Sequence, residues 1–157
     1  WTKTTRSAVY ASPVISNGVI YIVSYDRTIY AMDAKTGKFI WRENLDNELV
    51  YASPAVTSDK VYVAFKNGFV KAYDKTTGQK TAEYRFPNEI NSTPVPAPGL
   101  LYVTCEDGGL YTVDTRTGAV ALQHRAYSGI HSTPAVTGTA VYVTSKDGGV
   151  YAFGAKE

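Results

Sequence analysis

Apolar residues fall in short runs along this chain, and each run is closed by residues that favour turns. Ser53-Pro54-Ala55-Val56 ends at Ser58-Asp59 and is followed by Val61-Tyr62-Val63-Ala64. Asn67-Gly68 then separates that run from Phe69-Val70-Lys71-Ala72-Tyr73, and Asp74-Lys75-Thr76-Thr77-Gly78 precedes a last run from Thr81 to Phe86. Runs this short, rich in Val and Tyr and bounded by Asn, Asp, Gly and Pro, predict four strands joined by turns. Asn67-Gly68 accepts the positive φ that a two-residue hairpin demands, as do Asp107-Gly108 and Asp147-Gly148 further on. Asp26-Arg27 stands at the same place in the first such unit, which predicts a turn of another type or a slightly strained one. The proline opening each inner run removes a backbone donor, which suits the start or edge of a strand.

The unit is written four times. Ser12-Pro13, Ser53-Pro54, Thr93-Pro94 and Thr133-Pro134 recur at steps of 41, 40 and 40 residues, and Tyr21, Tyr62, Tyr102 and Tyr142 keep the same step. Asp33–Gly37, Asp74–Gly78 and Asp114–Gly118 each read D-x-x-T-G, a tight turn in which the Asp side chain accepts backbone N–H groups and the Gly takes a left-handed conformation. Three copies in three units mark this phrase as framework rather than a metal or phosphate site. The Tyr column, set between apolar neighbours in mid-strand, predicts packing between units. Four-stranded sheets repeating at this period predict an all-β fold, a β-propeller of four four-stranded blades. A right-handed solenoid is the structural rival, but its repeats are shorter and lack a hairpin turn in every copy.

Composition narrows the function classes. Hydrophobic residues make up 44% and charged residues 19%, which suits a globular domain with a core. A net charge of +2, with no Lys/Arg run, gives no argument for nucleic acid or an anionic membrane. No apolar stretch approaches the roughly 18 residues of a membrane span. No signal peptide is visible, and a chain that opens on Trp1 reads as a trimmed or mature segment. Cys105 is the single cysteine, so neither an internal disulfide nor a cysteine zinc cluster can form.

Ala31-Met32-Asp33-Ala34-Lys35-Thr36-Gly37-Lys38-Phe39-Ile40-Trp41 reads A-x-D-x-x-T-G-K-x-x-W. This resembles the tryptophan-docking motif of the pyrroloquinoline-quinone (PQQ) type propeller repeat at every fixed position. Later copies depart from it: Gln79 replaces Lys and Ala82 replaces Trp, then Thr112 replaces Ala and Leu122 replaces Trp, and the fourth copy stops after Ala152-Phe153-Gly154. Trp1 lies 40 residues before Trp41, at the docking position of a blade whose other strands are absent upstream. The expected domain is therefore a single propeller over 1–157, with blades at about 9–46, 49–86, 89–126 and 129–157, the last completed by an N-terminal strand from 1–8. A closed four-bladed monomer is expected, because both ends of one chain complement each other. Two chains joined head to tail into eight blades would satisfy the same strand exchange.

The resemblance also brings in quinoprotein dehydrogenases, which carry an adjacent cysteine pair, a calcium or lanthanide site and a catalytic aspartate. Cys105 has no cysteine neighbour, and repeats of 40 or 41 residues leave no insertions to build a capped active site. His124 and His131 are the only histidines, and no G-x-S-x-G, H-E-x-x-H or Gly-rich phosphate loop occurs. The expectation is a non-enzyme without cofactor or metal, a binding, scaffold or sensor module for a protein or small ligand. A fragment of a PQQ-dependent dehydrogenase is the alternative. The resemblance further implies an extracytoplasmic location.

Three residues before each inner proline stands a column of Tyr10, Tyr51, Asn91 and His131. The positions before it are Val9, Val50, Ile90 and Ile130, and those after it Ala11, Ala52, Ser92 and Ser132. A varied polar and aromatic column between uniform neighbours predicts side chains converging at one mouth of the central channel, as a ligand-binding site or a structural plug. The loops leading into these strands vary as well, at 44–48, 86–89 and 127–129. Tyr25, Arg27, Lys66, Phe69, Glu106 and Lys146 lie in or beside the middle hairpins, which are expected to open on the same face.

Overall fold

The short runs form fifteen strands in the computed structural model, which describes residues 1–45 and 49–154 and has no helix among them. The first antiparallel sheet orders β1 (Val14–Ser16), β2 (Val19–Ser24), β3 (Thr28–Asp33) and β4 (Phe39–Asn44). The second holds β5 (Ala55–Val56), β6 (Lys60–Ala64), β7 (Phe69–Asp74) and β8 (Lys80–Arg85). The third holds β9 (Val95–Ala97), β10 (Leu100–Thr104), β11 (Gly109–Asp114) and β12 (Val120–Arg125). The fourth has three strands, β13 (Ala135–Val136), β14 (Ala140–Thr144) and β15 (Val150–Gly154). Within each sheet the strands follow chain order, which is the up-and-down blade of a propeller.

Local chemistry fixes the turns. Gly68, Gly108 and Gly148 sit at φ 85°, 83° and 84°, each donating its N–H back across a hairpin. Arg27 takes the same turn in the first sheet at φ 63°, a left-handed conformation that strains a side chain. In the D-x-x-T-G turns, Asp33 Oδ1 accepts from the N–H groups of Lys35 and Thr36 and from the Thr36 hydroxyl. Asp74 and Asp114 accept the corresponding backbone bonds, so these carboxylates belong to the framework.

Blades are tied near the axis by a relay. The Ser12 N–H donates to Ser53 Oγ at 2.9 Å, Ser53 N–H to Thr93 Oγ1 at 3.1 Å, and Thr93 N–H to Thr133 Oγ1 at 3.2 Å. Each hydroxyl before a proline thus accepts from the blade before it. Behind this relay lie three apolar clusters, one at each seam between successive sheets. The first packs Tyr21, Ile29 and Trp41 against Val50, Val61 and Phe65. The second packs Tyr62, Val70 and Tyr84 against Ile90, Leu101 and Tyr111. The third is smaller, with Leu110, Ala126, Ile130, Val141 and Val143 buried. A groove of about 730 Å³ runs beside it, lined in part by Tyr102, Gln123 and Phe153. The Tyr column follows this gradient: Tyr21 and Tyr62 are buried, Tyr102 is half-buried and Tyr142 is exposed.

The expected N-terminal closure is not formed. Residues 1–8 make no strand, and the last sheet keeps three strands. The segment lies on the first blade instead: Trp1 Nε1 donates to Ala34 O at 3.1 Å, the Arg6 N–H to Asp26 Oδ2, and Tyr25 N–H to Ala8 O at 2.8 Å. Among the described residues no bond runs from Thr133 to Ser12 to close the relay, and no fourth apolar cluster joins β13 to β1. In the first two seams side chains pack from the inner strands (Val50, Ala52) out to the outer strands (Trp41, Tyr84), whereas the third is flanked by the open groove. The first blade holds the N-terminal segment instead, with the Trp1 ring seated against Gly37.

Candidate functional site

The inner-strand starts and the middle hairpins do open on one face, and the two sets of side chains meet there. Tyr10 packs edge-on against Tyr25 with ring centroids 4.8 Å apart, and Tyr25 against Tyr51 at 5.4 Å. Lys66 Nζ stands 5.7 Å from the Tyr51 ring centroid and 3.8 Å from Glu89 Oε2. Asn91 Nδ2 lies 3.4 Å from His131 Nε2. Glu106 receives both His131 Nε2 and Lys146 Nζ on its two carboxylate oxygens. A cavity of about 360 Å³ is lined by Tyr51, Lys66, Glu89, Asn91, Glu106, His131 and Lys146. Three of the four column residues therefore share one cavity, and Tyr10 stands beside it through Tyr25.

Charge and burial divide this surface into two halves. On one side three phenols stack. Burial pushes Tyr25 up to about 12, helped by the neighbouring Tyr51 and Tyr10 phenols, so it stays neutral. On the other side, burial works to raise the Glu106 carboxyl, but the bonds from Lys146 and His131 outweigh it and hold it below the ordinary range. A neutral aromatic shelf beside compensated charges suits recognition of a polar surface carrying apolar side chains.

Of the hairpin residues singled out by sequence, Tyr25, Lys66, Glu106 and Lys146 join the column, whereas Arg27 and Phe69 do not line the cavity. Phe69 lies beneath the Arg85 guanidinium instead. Glu89 was missed. Its signal was present, since Ala8, Leu49 and Gly129 occupy the same place in the other blades and only this copy is charged. Asp46, Asn47 and Glu48, in the first of the variable loops, lie outside the described residues.

A quinone site with its calcium does not fit these residues. Cys105 is buried in the second seam, where burial pushes its thiol up to about 11. Glu89 and Glu106, the acidic groups of the cavity, are already matched by lysines and His131. Among the described residues no three His, Cys, Asp or Glu side chains gather as metal ligands. Among the described residues no helix is long and apolar enough to cross a membrane.

The fold has counterparts among solved structures. The fold matches a computationally designed protein, Ika4, with TM-score 0.86 and 21% identity over 97% of this chain and 94% of that one. It matches BamB from Moraxella catarrhalis with TM-score 0.78 and 24% identity over 98% of this chain and 48% of that one. Sqt1 from Saccharomyces cerevisiae matches with TM-score 0.76 and 16% identity over 89% of this chain and 41% of that one. The chain thus spans less than half the length of these two natural proteins. No curated protein matches the sequence. A family model described as outer membrane protein assembly factor BamB matches residues 1–157 in full, and this chain, an all-β propeller with the PQQ-type repeat, belongs to that family.

Proposed function

We propose that this propeller is a non-catalytic module that binds a protein partner, as a scaffold or sensor, on the face where its inner-strand starts and middle hairpins open. The carrying observation is the Tyr10–Tyr25–Tyr51 shelf, exposed at Tyr10 and Tyr51, beside the charge-matched cavity of Lys66, Glu89, Glu106, His131 and Lys146. These side chains stand on strand starts and hairpins backed by packed sheets, so little ordering is needed on binding. The family's description as an assembly factor for outer membrane proteins supports a protein partner and an extracytoplasmic location. Among the described residues of this face, nothing pairs a nucleophile with a general base.

A photoreactive phenylalanine in place of Lys66, with Phe39 on an outer strand as control, is the direct test in cell-envelope material. Protein adducts are expected at 66 and not at 39. Replacing Tyr10, Tyr51, Asn91 or His131 by Ala should reduce adduct yield several-fold while leaving the melting temperature within a few degrees. Turnover of alcohols or sugars on addition of PQQ and calcium, abolished by chelation, would replace this reading with an enzymatic one.

A further inference from the structure

Lys75 shows how a seam of this fold receives an ammonium group. It follows Asp74 in the turn between β7 and β8, at the end of the strands opposite the Tyr10 column, and is half-buried. Its Nζ donates to Ser16 Oγ of the first blade at 2.9 Å and to Thr57 O of its own blade at 3.0 Å, so the side chain spans the first seam. The Lys75 N–H donates to Asp59 O at 2.9 Å, which fixes where that side chain starts.

One repeat later the backbone is held the same way and the side chain differs. Thr115 takes the place of Lys75, and its N–H donates to Gly99 O at 3.0 Å as that of Lys75 does to Asp59 O. By the same step Thr57 takes the place of Ser16, and Ala97 that of Thr57. All three line an open cavity of about 400 Å³ between the second and third blades. The Thr57 hydroxyl donates within its own turn, to Asp59 Oδ1 at 3.0 Å or Lys60 O at 3.2 Å, and accepts the Lys60 N–H at 3.0 Å. One of its lone pairs remains for a further donor. Val56, Pro96 and Leu100 supply an apolar wall. Asp59 also lines the cavity, exposed, at a position that is glycine in the first and third blades. Among the described residues no lysine or arginine forms an ion pair with it, although Lys60 lines the cavity too and offsets part of its charge.

We propose that this cavity binds the primary ammonium group of an alkylamine, its carbon chain along the apolar wall, as the first seam holds Lys75. Thr57 Oγ1 takes the part of Ser16 Oγ, the Ala97 carbonyl that of Thr57 O, and Asp59 adds a charge-assisted acceptor. Three acceptors match the three protons of an ammonium group, whereas a guanidinium is a planar fork and a quaternary ammonium has no N–H to give. The amine is either a small free molecule or a lysine side chain of a protein. The site lies on the face away from the Tyr10–Tyr25–Tyr51 shelf and does not depend on what binds there.

Amide NMR spectra of the full chain titrated with n-butylammonium, which is the lysine side chain closed by a hydrogen, test this directly. Saturable shifts are expected at Thr57, Asp59, Gly99 and Thr115, with a dissociation constant in the millimolar range for so small a ligand. n-Butanol, of the same shape without the charge, should bind about tenfold more weakly. Asp59→Asn should weaken the amine several-fold. Thr115→Lys supplies the ammonium from within the chain, so it should abolish the shifts and raise the melting temperature while the rest of the spectrum stays as it was. An acetylated Gly-Lys-Gly peptide that binds more tightly than n-butylammonium assigns the group to a protein lysine, and the reverse order assigns it to a free amine. Shifts that never saturate, butanol binding as well as the amine, or shifts that survive Thr115→Lys would each overturn the proposal.

Discussion

Trp41 shows how much one residue decides here. Its indole crosses the first seam, donating to Lys75 O at 2.9 Å, and its ring rests where a side chain on Gly78 would begin. A Cβ at Gly78 would stand 2.6 Å from that ring, whereas at Gly118 the nearest atom, on Tyr84, is 3.7 Å away. Both glycines sit at φ 78°, so backbone strain is the same for each. Gly118→Ala is expected to cost about 1–2 kcal/mol from the left-handed conformation alone. Gly78→Ala should cost clearly more, because the indole must also move, and urea unfolding of the pair reads the difference. Equal losses would mean that Trp41 carries no docking energy. Part of this was legible in the sequence, since the full motif around Trp41 stands out from its later copies. What replaces it at Ala82 was not. Tyr84, two residues on and on the same side of β8, leans over Gly118, and that substitution across neighbouring positions leaves no repeat signature.

At the level of elements, strands and turns follow almost wholly from local pattern, because hairpin Gly, Asx bonding and alternation are chemistry within a few residues. The Ser/Thr-Pro phrase shows the limit. Its proline was readable as a strand start, but the hydroxyl acts on the next blade, at a sequence distance of 40 or 41 residues. The D-x-x-T-G turns carry a pH dependence. Asp33 is held below the ordinary carboxylate range chiefly by the Thr36 hydroxyl, and Asp74 and Asp114 chiefly by backbone N–H groups of Thr77 and Thr117. A carboxyl with a lowered pKa in the folded chain stabilises fully above the unfolded value, near 4, and its contribution disappears as pH falls through the lower folded value. Urea midpoints should therefore fall on acidification below about pH 4. Asp74→Asn should lower the midpoint at neutral pH and flatten that acid slope. An unchanged slope would assign the acid sensitivity to other carboxylates, such as Asp107 beneath Tyr111.

Over the whole molecule, the blade count was readable from the period and the closure was not, because closure depends on the summed volumes within seams. The column of Tyr10, Tyr51, Asn91 and His131 was legible for the same reason as the blades: repetition exposed a variable position between uniform ones. Its pairing with the second column needed the hairpins placed in space. The thinning of the seams along the chain has its own consequence, for the order in which the molecule comes apart. The second seam buries Tyr62, Tyr84, Phe86 and Tyr111, whereas the aromatic side chains of the third, Tyr102, Tyr151 and Phe153, are only partly buried and an open groove flanks them. Local opening follows the least-packed contacts. Amides of β14 and β15 should accordingly exchange with deuterium well before those of β6 and β7, and uniform exchange would contradict a graded core. Deuterium should therefore enter from the last sheet inward and reach the second seam last.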